Sequence, residues 1–236
     1  VAETEMAHFG ETKVLVVTRF DRRWVGVDDG ADTKARFKPP EGAWIARLPQ
    51  EDFCQALGVA PERKYQSDGG TSMQDCLTVL ASSERADDDR AIFVLAQFAF
   101  WLMAATDGHA KNFSIQHRRG GRYRLTPFYD VLSAWPIIGD GPNLIAYQRA
   151  RLAMGVKASS MHYRLRDIQA RHWRRLVNSG GGQVWARMLA MVETTERVLE
   201  TVENELPERF PAKLWAAVSA GIKRHAAAFR QGVAQE

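Results

Sequence analysis

The 236-residue sequence predicts an α+β fold that is predominantly α-helical, and three observations carry that prediction. A long apolar stretch, Ala91 to Thr106, lies near the middle of the chain and reads as a buried helix. A hairpin signal follows it, two alternating segments around Arg118-Arg119-Gly120-Gly121. Beyond the hairpin, the rest of the chain reads as amphipathic helices.

Composition sets outer limits. With 45% hydrophobic and 25% charged residues the chain is ordinary globular material, enough for one large domain or two small ones. The 32 basic residues exceed the 28 acidic ones only slightly and the excess is local, so polyanions such as ATP, tRNA or DNA are permitted partners without being demanded. Cys54 and Cys76 lie in no metal-ligand spacing and read as free thiols of a reducing cytoplasm, with a single disulfide as the alternative. The apolar stretch is too short to span a bilayer comfortably and contains Gln97, so no membrane role is expected and the protein should be cytoplasmic. The chain opens Val1-Ala2-Glu3 without an initiator Met and looks like a piece of a longer polypeptide.

Taken in order, Lys13 to Phe20 is β-branched and apolar on both faces, which predicts a strand inside a sheet that this chain supplies only in part. Residues 25 to 46, with Gly, adjacent Pro and mixed charges, predict an exposed loop with room for a small hairpin. Pro49 to Gly58 starts acidic and ends in Gly, the polarity of a short helix. Lys64 to Gly70 is a loop, and Ser72 to Ala81 carries Met73, Cys76, Leu77 and Leu80 at helical spacing. The central helix is expected from Asp87 to Thr106, with Asp87, Asp88 and Asp89 against the positive end of its dipole and apolar side chains all round. Phe113 to His117 and Arg122 to Thr126 form the hairpin. Met161 to Val177 predicts a basic helix, Gln183 to Leu206 one long helix ended by Pro207, and Pro211 to Gln231 a last helix.

The chemistry concentrates in Thr106-Asp107-Gly108-His109-Ala110-Lys111-Asn112-Phe113. An Asp with an Asn five positions on is the spacing of a phosphoryl-transfer loop, in which the Asp accepts the proton of a hydroxyl and the Asn holds a metal ion. Alone the pattern is weak, and a surface turn is the plain alternative. The hairpin strengthens it by returning Asp130, 18 positions after Asn112, to the same end, so two oxygen ligands suited to Mg²⁺ become neighbours.

Five blocks stand out: Arg19-Phe20-Asp21-Arg22-Arg23-Trp24, Arg47-Leu48-Pro49-Gln50-Glu51-Asp52, Lys64-Tyr65-Gln66-Ser67-Asp68-Gly69-Gly70, Ala105 to Asn112, and Tyr123 to Asp130. In sequence and in order they resemble the HipA family of kinase-like toxins. Leu152-Ala153-Met154-Gly155 fits as well. The resemblance covers the chain apart from residues 25 to 46 and implies the C-terminal lobe of a protein-kinase-like fold, with a small β-hairpin carrying the active site. It divides the chain into a hinge strand at 1–24, an insertion at 25–46 and a helical lobe at 47–236.

By the same resemblance Asp107 is the catalytic base for a Ser hydroxyl, and Asn112 and Asp130 hold Mg²⁺ on the phosphates of ATP. His109, Ala110, Lys111 and Tyr129 would line the nucleotide site, and Thr18, Arg19 and Phe20 match the hinge whose backbone meets adenine. Thr18 stands where the family often has an acid. His109 and Lys111 read equally well as a structural hydrogen-bond donor and a solvated cation. The family's phosphate-covering loop and nucleotide-binding Lys have no counterpart in Val1 to Glu11, so weak ATP binding is expected of this segment by itself. The implied partners are a DNA-binding antitoxin, operator DNA through that complex, and a protein substrate of the translation machinery such as an aminoacyl-tRNA synthetase. Two rival readings are a non-catalytic scaffold for antitoxin or DNA, and a small-molecule phosphotransferase.

Overall fold

A computed structural model describes residues 1–26, 41–177 and 182–235. The chain begins with an antiparallel ribbon of β1 (Thr4–Phe9) and β2 (Thr12–Val17), followed by a second ribbon of β3 (Arg22–Val25) and β4 (Trp44–Arg47). Next come β5 (Gln50–Asp52), α1 (Phe53–Ala56), α2 (Met73–Leu80) and α3 (Ala86–Met103). The hairpin β6 (Ser114–His117) and β7 (Tyr123–Leu125) joins β5 in a three-stranded antiparallel sheet with β6 in the middle. A third ribbon, β8 (Arg151–Lys157) and β9 (Met161–Arg164), precedes the helices α4 (Ala170–Val177), α5 (Gly182–Glu193), α6 (Thr195–Glu205) and α7 (Ala212–Ala234). The architecture is α+β and mainly helical, as the sequence predicts.

The core is organised around α3. Phe93, Phe98, Phe100, Trp101 and Leu102 are all buried, and the helix packs on α2, α5, α7 and β7. Phe98 meets Phe229 at 4.9 Å and Trp173 at 5.3 Å between ring centres, while Phe93 meets Phe113 at 5.1 Å. Edge-on contacts of this kind favour the ring quadrupoles beyond simple area burial. Polar ties fix the register. Trp101 Nε1 donates to the Leu165 carbonyl and Trp135 Nε1 to the Leu102 carbonyl, each at 3.0 Å. Of the three acids at the start of α3, Asp89 is buried and accepts the Leu125 amide at 3.0 Å, anchoring β7 to the helix. Glu84, just before α3, accepts from Arg122 at 2.8 Å and lies within 4 Å of Arg118 and Arg124, which holds the basic turn of the hairpin.

Several expectations are corrected. The strand expected over Lys13 to Phe20 ends at Val17 as β2; its one described partner is β1, and Leu15 and Val17 are 60% and 42% exposed because a two-stranded ribbon cannot cover its own faces. In the predicted loop at 25–46, the described ends pair as β3 and β4; residues 27–40 lie outside the described residues. The helix expected from Pro49 is shorter, because Gln50–Asp52 pairs with β6 and Asp52 then caps α1 in a capping box with Gln55. The central helix stops at Met103, three residues early, where Ala104 adopts a left-handed conformation with φ +50°.

Residues after the hairpin are not all helical. Leu152 to Val156 is buried along its whole length as β8, and Met161 to Arg164 is strand rather than the start of a basic helix, which is confined to α4. The pairing depends on Gly155, where a Cβ would sit 2.7 Å from Met161 Cγ. The helix expected over 183–206 divides at Thr194. Thr194 and Thr195 hydroxyls bond to the Ala190 and Met191 carbonyls, a local competition that bends helices, and Val198 and Val202 beyond it are exposed. The helix expected over Ser72 to Ala81 forms as α2 with Ser72 as its cap, and both cysteines are free and buried. No helix among the described residues is long and apolar enough to cross a membrane.

Candidate active site

The loop after α3 is held at both ends. The Ala105 amide returns to the Phe100 carbonyl at 2.8 Å, and Ser133 Oγ closes the Met103 carbonyl at 2.6 Å. Gly108 is required by space: a Cβ there would lie 2.4 Å from Cδ2 of the Phe100 ring. A 3-10 turn at Ala110–Asn112 then leads directly into β6. A helix packed on all sides and a sheet strand therefore bracket the loop, which is how a short constellation is kept in register.

The hairpin performs the return that the sequence implies. Ile115 pairs with Leu125 and His117 with Tyr123, and Asn112 Nδ2 donates to Asp130 Oδ2 at 2.6 Å. The other amide oxygen, Asn112 Oδ1, is buried without a partner. Asp130 has φ +56°, an uncommon conformation for a residue with a side chain and one that occurs at functional sites. Asp107 is open, with its side chain 56% exposed.

Around Asp107 stands a group that sequence spacing did not reveal. The Tyr65 hydroxyl donates to Asp107 Oδ1 at 2.5 Å, and this bond is the main cause that pushes the phenol up to about 12. His109 is buried with its Nε2 3.8 Å from the same oxygen and its ring edge-on to Tyr65 at 5.3 Å. Burial lowers the His109 pKa against the opposing pull of Asp107, so the imidazole is neutral at pH 7, and its Nδ1 is buried without a partner. Tyr65 reaches the loop from 42 residues away, and only its place in a family block marked it.

The remaining candidates gather on the same side. Tyr129 donates to the Lys111 carbonyl at 3.0 Å, shares a 2.5 Å hydrogen bond with Ser114, and has its phenol pKa raised by burial. Phe20 packs on the Tyr129 ring at 5.8 Å, bringing the predicted hinge to the site. The Thr18 amide bonds to the Glu3 carbonyl at 2.9 Å, tying that segment to the first ribbon. Arg19 makes a bidentate pair with buried Asp21 at 2.7 Å, and Arg22 bonds to the same carboxylate. The Arg19 bond is the largest cause holding Asp21 below the ordinary carboxylate range, ahead of burial, which opposes it. Ala110 is wholly enclosed in the core and shapes the turn rather than the open face.

An exposed acid at a helix end, an Asn five residues on and a second acid returned by a hairpin, all on a mainly helical scaffold, define the helical lobe of a kinase-like fold. The chain belongs to the HipA-like C-terminal domain family, which it matches over residues 1–209. It is 37% identical over 140 residues to Y4mE of Sinorhizobium fredii, a protein designated a kinase, and 30% identical over 144 residues to the serine/threonine-protein kinase toxin HipA of Shewanella oneidensis. Each alignment covers 56% of this chain and only 28% and 30% of those relatives. The fold superposes along its full length on a structure of the Shewanella oneidensis toxin–antitoxin system containing HipA, HipB and operator DNA, with a TM-score of 0.78 and 20% identity. The chain spans 53% of that protein's chain. The Helicobacter pylori proinflammatory kinase CtkA also shares the fold, with a TM-score of 0.54, 10% identity and 76% of its chain covered.

Proposed function

We propose that this chain is the catalytic lobe of an ATP-dependent serine/threonine protein kinase toxin of a toxin–antitoxin system. The observation that carries the reading is the hydrogen bond between Asn112 and Asp130 beside an accessible Asp107. Asp107 is the general base: it orients a Ser hydroxyl and accepts its proton as the oxygen attacks phosphorus. Neutral His109 and Tyr65 hold the loop around that carboxylate.

The residues present fit Mg²⁺. Among the described residues no three His, Cys, Asp or Glu side chains converge, which excludes an all-protein cage of those groups but suits an ion bound through one or two side chains and completed by phosphate and water oxygens. Asn112, with its unpartnered buried oxygen, and Asp130 would hold it. When bound, the ion neutralises charge on the transferring phosphates. The backbone of Thr18, Arg19 and Phe20 meets adenine, while Lys111 and Tyr129 border the nucleotide.

The chain spans about half of the solved relative, and contacts on the far side of the phosphates come from outside it in this reading. A DNA-binding antitoxin is the partner, in keeping with the relative solved with HipB and operator DNA, and a protein of the translation machinery, such as an aminoacyl-tRNA synthetase, is the substrate. The test is Mg²⁺-dependent ATP binding and phosphorylation by the full-length protein and by Asp107→Asn. Transfer should vanish in the variant with its melting temperature unchanged. Retained transfer would remove Asp107 from its role, and absence of Mg²⁺-dependent ATP binding in both proteins would leave a scaffold instead.

A further inference from the structure

The positive charge of the chain is concentrated away from the loop just described. Residues 149–177 carry eight basic side chains against Asp167 alone, a net of +7 where the whole chain has +4. Asp167 is occupied by Arg166 at 3.3 Å. Within this span a cleft of about 610 Å³ opens between the β8–β9 turn and α4, bordered by Ser159 and His162 on one side and Arg171, His172, Arg174 and Arg175 on the other. Among the described residues no carboxylate borders it.

Hydrogen bonding inside the cleft leaves donors facing one another. The Gln169 amide points at His172 Nδ1 at 3.2 Å. Arg171 Nε approaches Nε2 of the same ring at 3.4 Å. A neutral imidazole accepts at one nitrogen only, so one of these two donors faces a ring N–H and needs an acceptor from elsewhere. The His162 ring stacks on His172 at 3.8 Å and 14°, and Ser160 Oγ lies 3.2 Å from its Nε2. Burial first, then the neighbouring His162, Arg171 and Arg175, push the His172 pKa down to about 4.

We propose that this cleft is a binding site for a phosphate monoester. A tetrahedral dianion offers an acceptor to the donor that the His172 ring leaves unsatisfied and negative charge beside Arg171 and Arg175. A single cleft of this size suits a compact terminal phosphate rather than the spaced phosphates of a duplex. The site is also connected to the loop. Gln66, next to Tyr65, accepts the Gly155 amide at 2.8 Å and lies 3.6 Å from Met161 Sδ, so the hairpin that forms one wall of the cleft also holds the Tyr65 turn. The site does not depend on the activity proposed above.

The test is an NMR titration of the chain with inorganic phosphate at pH 7, following the imidazole resonances of His162 and His172. Saturable shifts confined to these rings and α4 are expected, with affinity weakened at least tenfold in the double variant Arg171→Gln, Arg175→Gln. Both positions are exposed, so the melting temperature should not move. A short phosphoserine peptide should compete, and its unphosphorylated counterpart should not. Shifts that spread over the surface without saturating, or a variant that binds as the parent does, would overturn the site. Binding of duplex DNA that the variant loses, without binding of inorganic phosphate, would overturn it in favour of a nucleic-acid contact.

Discussion

Tyr65 donates its hydroxyl proton to Asp107 Oδ1 across 2.5 Å, joining a turn near the start of the lobe to the loop at the end of α3. The bond is charge-assisted and stabilises the neutral phenol, so the two side chains report on each other. In an absorbance titration one phenol should ionise near 12, and Asp107→Asn should bring it back toward 10. A titration unaffected by Asp107→Asn would break the link.

Tyr65→Phe removes the bond while keeping the ring against His109. If Asp107 is the base, a loss of one orienting hydrogen bond of about 1.4 kcal/mol corresponds to roughly a tenfold fall in turnover. Steady-state phosphorylation by the full-length protein measures it. An increase would mean that Tyr65 obstructs the base instead.

Gly108→Ala places a methyl group 2.4 Å from the Phe100 ring. Overpacking should cost about 1–3 kcal/mol of stability, read from denaturant unfolding, and should displace Asp107 along with the loop. An unchanged midpoint would show that the Phe100 ring gives way freely.

Asp130 tests conformation and chemistry separately. Because its φ is +56°, Asp130→Asn, which keeps an acceptor for Asn112, should leave stability within about 0.5 kcal/mol, Asp130→Gly should lose about 1 kcal/mol with that hydrogen bond, and Asp130→Val should lose about 1–2 kcal/mol more to backbone strain. All three should lose Mg²⁺-dependent nucleotide binding. Thermal melts and calorimetry together separate the two effects.

His225 sets an acid limit on stability. It is 1% exposed, donates from Nδ1 to the Trp101 carbonyl at 2.7 Å and accepts from Tyr147 at 2.9 Å. Burial pushes its pKa down to about 4 from the ordinary 6.5. Between these values the unfolded chain binds a proton that the folded chain refuses, so stability is full above pH 6.5 and declines as the pH falls toward 4. The loss is on the order of 3 kcal/mol. His225→Gln should flatten that slope of unfolding free energy against pH.

What the sequence determines by itself is local. Patterning places α2, α3, the β6–β7 hairpin and α7, because each is specified by side-chain period, capping residues and turn chemistry within a few positions. The same locality brings Asn112 to Asp130, since a tight hairpin fixes where its two ends meet. Tertiary structure decided the rest. Met161 became strand because it pairs with Lys157 across the β8–β9 turn, and the ribbon of β1 and β2 has no further described strand over it. Tyr65 joined Asp107, and His162 stacked on His172 beside a basic cleft, through packing between segments whose spacing carries no periodic signal. Long-range contacts depend on which surfaces α3 leaves for its neighbours, and a window of sequence does not contain that information.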